Sequence, residues 1–211
     1  MRAFSCSLAA LALLAASAAA AGAQETASPL PGVSAEPPAP LARDVPSPAA
    51  TQAERLDALF AELRREGDGA KAEAIAARIQ REWQDSGSAT VDLLMGRAAQ
   101  AIARKNGAAA LDLLDQTVVL DPDYAEGWNR RATLHYAENR YRLSLADVAE
   151  VLKREPRHFG ALAGMGAMLE EMGRRREALA TFERVLAIYP AMKPAQDAAA
   201  RLADALAGER A

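Results

Sequence analysis

The chain has 211 residues, a net charge of −3 at neutral pH and a single cysteine, Cys6. The slight acidic excess disfavours a nucleic-acid-binding surface or a general attraction to anionic membranes. One thiol near the start excludes an internal disulfide framework and a cysteine-ligated zinc site.

Residues 1–23, MRAFSCSLAALALLAASAAAAGA, place Arg2 before an apolar run from Leu8 to about Ala20 and end on Ala21-Gly22-Ala23. That is the layout of a cleavable signal peptide, with the cut expected after Ala23. The run is alanine-rich and barely long enough to span a bilayer, which weighs against a retained anchor. The mature chain is therefore expected in the periplasm or outside the cell, without its cysteine and without an integral membrane span. Residues 24–50 hold seven of the eleven prolines and almost no large apolar side chain. Proline withholds backbone donors, and nothing here buries enough surface to offset the entropy of ordering, so this stretch reads as a disordered Pro/Ala-rich linker.

From residue 51 the composition turns to Ala, Leu, Arg and Glu with apolar residues at helical spacing. Residues 51–90 predict a helical pair broken at Gly67-Asp68-Gly69. Beyond it, Pro122, Pro156 and Pro190 stand 34 residues apart, each closing a helix-like run. Proline cannot continue a helix that needs its amide, so a helix ends at each. With first positions at Val91, Ala125 and Phe159, the fourth position holds Leu94, Trp128 and Leu162, and the eighth holds Ala98, Ala132 and Gly166. The twentieth holds Ala110, Ser144 and Ala178, and the twenty-fourth holds Leu114, Val148 and Phe182. Turn residues fall at Lys105-Asn106-Gly107, Glu138-Asn139-Arg140 and Gly173-Arg174.

This period and these positions resemble the tetratricopeptide repeat (TPR), a helix-turn-helix unit. The resemblance implies an all-α, right-handed helix-turn-helix solenoid of about three TPR units with helical caps. The units are 91–124, 125–158 and 159–192, followed by a capping helix and tail over 193–211. Small residues at the eighth and twentieth positions let the two helices of a unit approach, with Gly166 expected to admit Ala178. Two layers depart from the pattern: the seventh position carries Arg97, Arg131 and Met165, and the eleventh carries Ala101, His135 and Leu169. Looser packing is expected there. The pair at 51–90 is either a cap or a degenerate repeat starting at Asp57, with Ser88 where proline belongs.

No residue pattern supports catalysis. His135 and His158 have no metal-ligand spacing, Ser144 sits where small size is required, and no cofactor or metal is expected. In the family, the inner surface is lined mainly by the first helix of each unit. Carried over, it consists of Asp92, Met95, Gly96, Ala99 and Ile102, then Glu126, Asn129, Arg130, Thr133 and Tyr136, then Gly160, Ala163, Gly164, Ala167, Glu170 and Glu171. The second group, with Gly160, Ala163, Gly164, Ala167 and Glu170 of the third, is the expected partner-binding face. Asn129 can meet a peptide backbone, Arg130 a carboxylate, and Tyr136 offers a flat contact with a polar tip. The Asn and basic residues with which some family members clamp chaperone tails are not rebuilt in either register.

The resulting expectation is a non-enzymatic interaction module or scaffold of the cell envelope that binds a protein or peptide segment along its groove. Self-association, or service as an accessory subunit of an envelope or cell-wall enzyme, are the alternatives.

Overall fold

The computed structural model describes residues 51–208; the expected signal peptide and linker, and residues 209–211, lie outside the described residues. Helices α1 (Gln52–Arg65) and α2 (Gly69–Gln84) form an N-terminal pair. Three further pairs follow: α3 (Ala89–Ala103) with α4 (Gly107–Leu120), α5 (Ala125–Ala137) with α6 (Tyr141–Arg154), and α7 (Phe159–Glu171) with α8 (Arg175–Ile188). Helix α9 (Lys193–Gly208) ends the stack, and no strand occurs among the described residues.

The sequence period recurs in the backbone. Lys105, Asn139 and Gly173 adopt left-handed φ values of 56°, 58° and 75°. The next amide in each case reaches back into the first helix: Asn106 N–H donates to the Ala101 carbonyl, Arg140 to His135 and Arg174 to Leu169, at 2.8–2.9 Å. This closure satisfies carbonyls that a helix end otherwise leaves unpaired. Only the third turn uses glycine, the residue that adopts this conformation at least cost. At the opposite edge, Tyr124, His158 and Met192 donate to Asp121, Glu155 and Tyr189 across the three proline turns, at 3.1–3.3 Å.

Within each pair the small residues are buried as required: Ala98 with Ala110, Ala132 with Ser144, Gly166 with Ala178. The Ser144 hydroxyl donates to the Ala132 carbonyl at 2.7 Å, fixing the approach of α6 to α5. At Gly166 the reason for smallness is sharper than the closeness of Ala178. A Cβ there would lie 2.9 Å from Cζ of Phe182, the largest side chain at the twenty-fourth position. In the other units the alanines share their clusters with the smaller Leu114 and Val148. Gly166→Ala is expected to cost about 1 kcal/mol, because overpacking outweighs the gain in helix propensity. Adding Phe182→Leu should return part of that loss in urea melts; an additive result would contradict this pairing.

Helix α9 buries Ala195, Ala198, Leu202 and Leu206, while Ala205 is exposed.

The N-terminal pair does not extend the stack at the first repeat. Its buried residues, including Leu56, Phe60, Leu63, Ile75, Ile79 and Trp83, join a cluster with Phe159, Leu162, Phe182, Val185 and Tyr189, to which no residue of α3 or α4 belongs. Trp83 lies 5.1 Å from the Phe159 ring and 5.9 Å from Phe60. Arg157, in the turn before α7, binds Asp57 of α1 at 2.6 Å and lies over the Phe60 ring.

Two properties of the residues explain this placement. The face of α3 that would receive a preceding unit is mostly polar and stays uncovered. Where α5 and α7 bury Leu134 and Met168, α3 has exposed Gln100, beside exposed Arg97 and Arg104. Leu93, opposite buried Gly127 and Ala161 in register, is 54% exposed. By contrast, the third unit carries large apolar groups at all three of its turn-edge positions, Phe159, Tyr189 and Met192, where the second carries Ala125, Glu155 and His158 and the first Val91, Asp121 and Tyr124. Burial of apolar area drives the pair to the edge that offers it.

Candidate functional site

Helix α5 presents Glu126, Asn129, Arg130 and Thr133 on one face, the spacing of three and four that makes helical residues neighbours. The end of α2 brings Gln80, Trp83 and Gln84 against them, and the start of α7 adds His158, Phe159 and Gly160. Together these residues line a cleft of about 290 Å³.

Glu126 organises the cleft from below. Its carboxylate is buried and accepts from Arg130 Nε at 2.8 Å and Asn129 Nδ2 at 2.9 Å, with His158 Nε2 3.4 Å away. His158 Nδ1 accepts the Ala161 amide at 3.0 Å and so caps α7. With Nδ1 an acceptor, the neutral ring carries its proton on Nε2 and directs it at Glu126. The same ring stacks on Trp83, centroids 4.1 Å apart and planes within 9°. One histidine thus joins α2, α5 and α7. Arg130 spends only Nε on Glu126; its terminal nitrogens bond no other described side chain, and the residue is 39% exposed. They form an end-on fork suited to a carboxylate.

The structure brings Glu126, Asn129, Arg130, Thr133 and Gly160 into this cleft. Ala163, Gly164 and Ala167 lie half-buried along α7 and do not line it. Glu170 is held by Arg201 of α9, at 2.9 Å to each oxygen. Tyr136 donates to Glu171 at 2.6 Å and shares that carboxylate with Tyr141 at 2.5 Å. This hydrogen bond, with some burial, raises the Tyr136 hydroxyl to about 12. Glu126 and Asn129 differ from their expected use, since much of their bonding capacity is turned inward. The wall supplied by α2 had no signal in the repeat pattern.

In the second unit the departures at the seventh and eleventh positions, Arg131 and His135, put charge where apolar packing is usual, and the expected looseness does not occur there. Arg131 binds buried Asp147 through Nε at 2.9 Å and Nη2 at 2.7 Å, and reaches Asp115 of α4 through Nη1 at 2.7 Å. His135 Nε2 lies 3.8 Å from Asp147. Trp128 is flanked by the guanidinium groups of Arg131 and Arg154, at 4.9 and 5.0 Å from the ring centre.

These groups set an acid limit. Burial alone would raise the Glu126 carboxyl, but hydrogen bonds from His158 and Arg130 outweigh it and hold the group below 4.5. A lowered carboxyl contributes stability that is present above its unfolded value and lost as pH falls through its folded one. Burial, partly opposed by Asp147, pushes His135 below 6.5. A histidine favoured neutral in the fold also loses stability as pH falls below its unfolded value. The melting temperature should therefore drop between about pH 7 and pH 4, with His135→Gln flattening the upper part of the fall. An equally steep profile in that variant would remove His135 as a cause.

Helical pairs stacked at a 34-residue period define a helix-turn-helix repeat protein. No protein-family model matches the chain. It is 53% identical over 157 residues to a TPR repeat-containing protein of Rhizobium etli, covering 74% of this chain and 77% of that one. The chain belongs to the tetratricopeptide-repeat family. Similar solved structures include MamA, at 16% identity and TM-score 0.53 over 70% of this chain and 84% of that one. Another is the first TPR of Spaghetti bound to an HSP90 peptide, at 19% identity and TM-score 0.53 over 56% of this chain and 96% of that one. At these identities the likeness shows the fold alone, a fold that serves as a protein–protein interaction module. No described helix is long and apolar enough to cross a membrane.

Proposed function

We propose that this chain is an exported, non-enzymatic docking module that holds a segment of another envelope protein in the cleft between α2, α5 and α7. The observation that carries the reading is the outward fork of Arg130. Its Nε is fixed by a buried carboxylate, and the residue lines a cleft together with Gln80, Gln84 and Asn129. A preorganised guanidinium loses little freedom on binding a carboxylate, and the amides can satisfy an extended backbone. The export part of the reading is supported by Arg2, the apolar run and the Ala21-Gly22-Ala23 site.

A photo-crosslinking residue at exposed Thr133 in the native cell should give a discrete protein adduct in the envelope fraction, on a chain beginning at Gln24. Arg130→Gln should reduce that adduct about tenfold, the effect of losing one charge-assisted contact. A chain that keeps its first residues or remains in the cytosol would end the export reading. An adduct indifferent to Arg130→Gln would end the site reading.

A further inference from the structure

We infer that the cleft continues along α2 as a trough that reads an extended segment at two points, a carboxylate at the Arg130 end and an apolar side chain at the Met192 end. The inference rests on the cleft being a peptide-docking site and adds what the peptide must carry. A second hollow, of about 450 Å³, lies on the other side of Gln80 and Phe159, two residues that line both spaces. Its walls are Ala76 and Ala77 of α2, Tyr189, Ala191 and Met192 of the turn into α9, and Pro194 in the first turn of α9. Gly160, exposed and without a side chain, lies beside Phe159 at the junction.

The two ends differ in chemistry. Arg130 offers a cation whose terminal nitrogens bond no other described side chain. The far end offers half-buried Ala191 and Met192, with the carboxylate of Glu73 on its rim, while Lys193 there is paired with Asp197. An acidic group is attracted at the first end and repelled at the second, so the charge pattern selects which end of the ligand lies where. Helix α2 also supplies a ruler. From Glu73 or Ala76 to Gln84 it rises roughly 12–16 Å at about 1.5 Å per residue, a span that an extended chain at about 3.3 Å per residue covers in roughly four or five residues. The matching ligand carries its apolar side chain and its carboxylate at that separation.

The test uses fluorescein-labelled synthetic peptides and the mature chain, read by anisotropy. One series is amidated and places Leu and Asp at separations of about one to eight residues in a Gly-Ser background, in both orders; a second replaces Asp with a free C-terminal carboxylate. Binding should peak at a separation of roughly four or five residues and weaken about tenfold on Leu→Ser or Asp→Asn in the peptide. In the protein, Arg130→Gln should abolish the difference between Asp and Asn peptides, and Met192→Gln the difference between Leu and Ser peptides. Gly160→Leu should block both. Thermal melts establish that the variants are folded, and Ala191→Gln replaces Met192→Gln if that variant is not. The second series tells a terminal carboxylate from an acidic side chain, and preference for either supports the trough.

Binding that depends on Arg130 but ignores peptide Leu, separation and both apolar-end variants would overturn the trough while leaving the cleft. Binding unaffected by Arg130→Gln, or none at all, would overturn both. A concentration-dependent dimer in sedimentation, lost in Gly160→Leu, would overturn the trough as a peptide site by placing a second copy there.

Discussion

Asp147→Ala is expected to destabilise the repeats by about 2–4 kcal/mol, lowering the melting temperature by roughly 6–12 °C for a chain of this size. The carboxylate is buried and takes two of Arg131's donors, while His135 lies nearby. Its removal leaves a guanidinium that is only 18% exposed with Asp115 as its remaining anionic partner, which places the cost below that of a fully orphaned charge. The pair is not expected to be worth this much against an apolar alternative. Taking two ions from water costs several kcal/mol each, and the family's usual residue at the seventh position is leucine. Arg131→Leu with Asp147→Leu should therefore melt within a few degrees of the parent, while each single change is severe. Near-additive losses in that cycle would mean that the network contributes net stability of its own.

Trp83→Ala should have a comparable effect on one part of the molecule only. Truncating a buried tryptophan costs about 3–5 kcal/mol, and this one joins Phe60, His158 and Phe159. The N-terminal pair holds the repeats mainly through this cluster and the Arg157 contacts, so it should detach before the stack unfolds. Hydrogen exchange would then show α1 and α2 losing protection together while α3 to α6 keep theirs. Trp83→Phe should be tolerated, because the indole Nε1 is buried without a hydrogen-bond partner and its loss leaves nothing unsatisfied. Uniform loss of protection through all helices would show that the pair and the stack fold as one unit.

The contrast between these two predictions follows what the sequence made legible. The periodic turns and small residues could be read: Lys105, Asn139 and Gly173 turn as their spacing required, and Gly166 and Ser144 are small because a neighbouring helix passes close. The packing of α1 and α2 could not be read from the period, because it joins residues far apart in sequence. A signal existed in composition: Phe159, Tyr189 and Met192 are apolar where turns are ordinarily polar, and Gln100 is polar where a stack interior is apolar. The candidate site divides in the same way. Arg130 and Asn129 lay on a predictable helix face, but Gln80, Trp83 and Gln84 arrive from a helix placed by tertiary packing. The inward use of Glu126 depends on His158, 32 residues further on.

Arg157 and Asp57 meet across 100 residues of chain, whereas each repeat pairs with its immediate neighbour. During synthesis at roughly 5–20 residues per second, Leu56, Leu59, Phe60 and Leu63 would emerge on the order of 5–20 s before the turn that covers them. The repeats can assemble in order as they appear, but the first hairpin made is the last to find its place. In the interval its apolar stripe is open to chaperones and to other nascent chains. Late docking therefore makes α1 and α2 the described helices that wait longest for their cover.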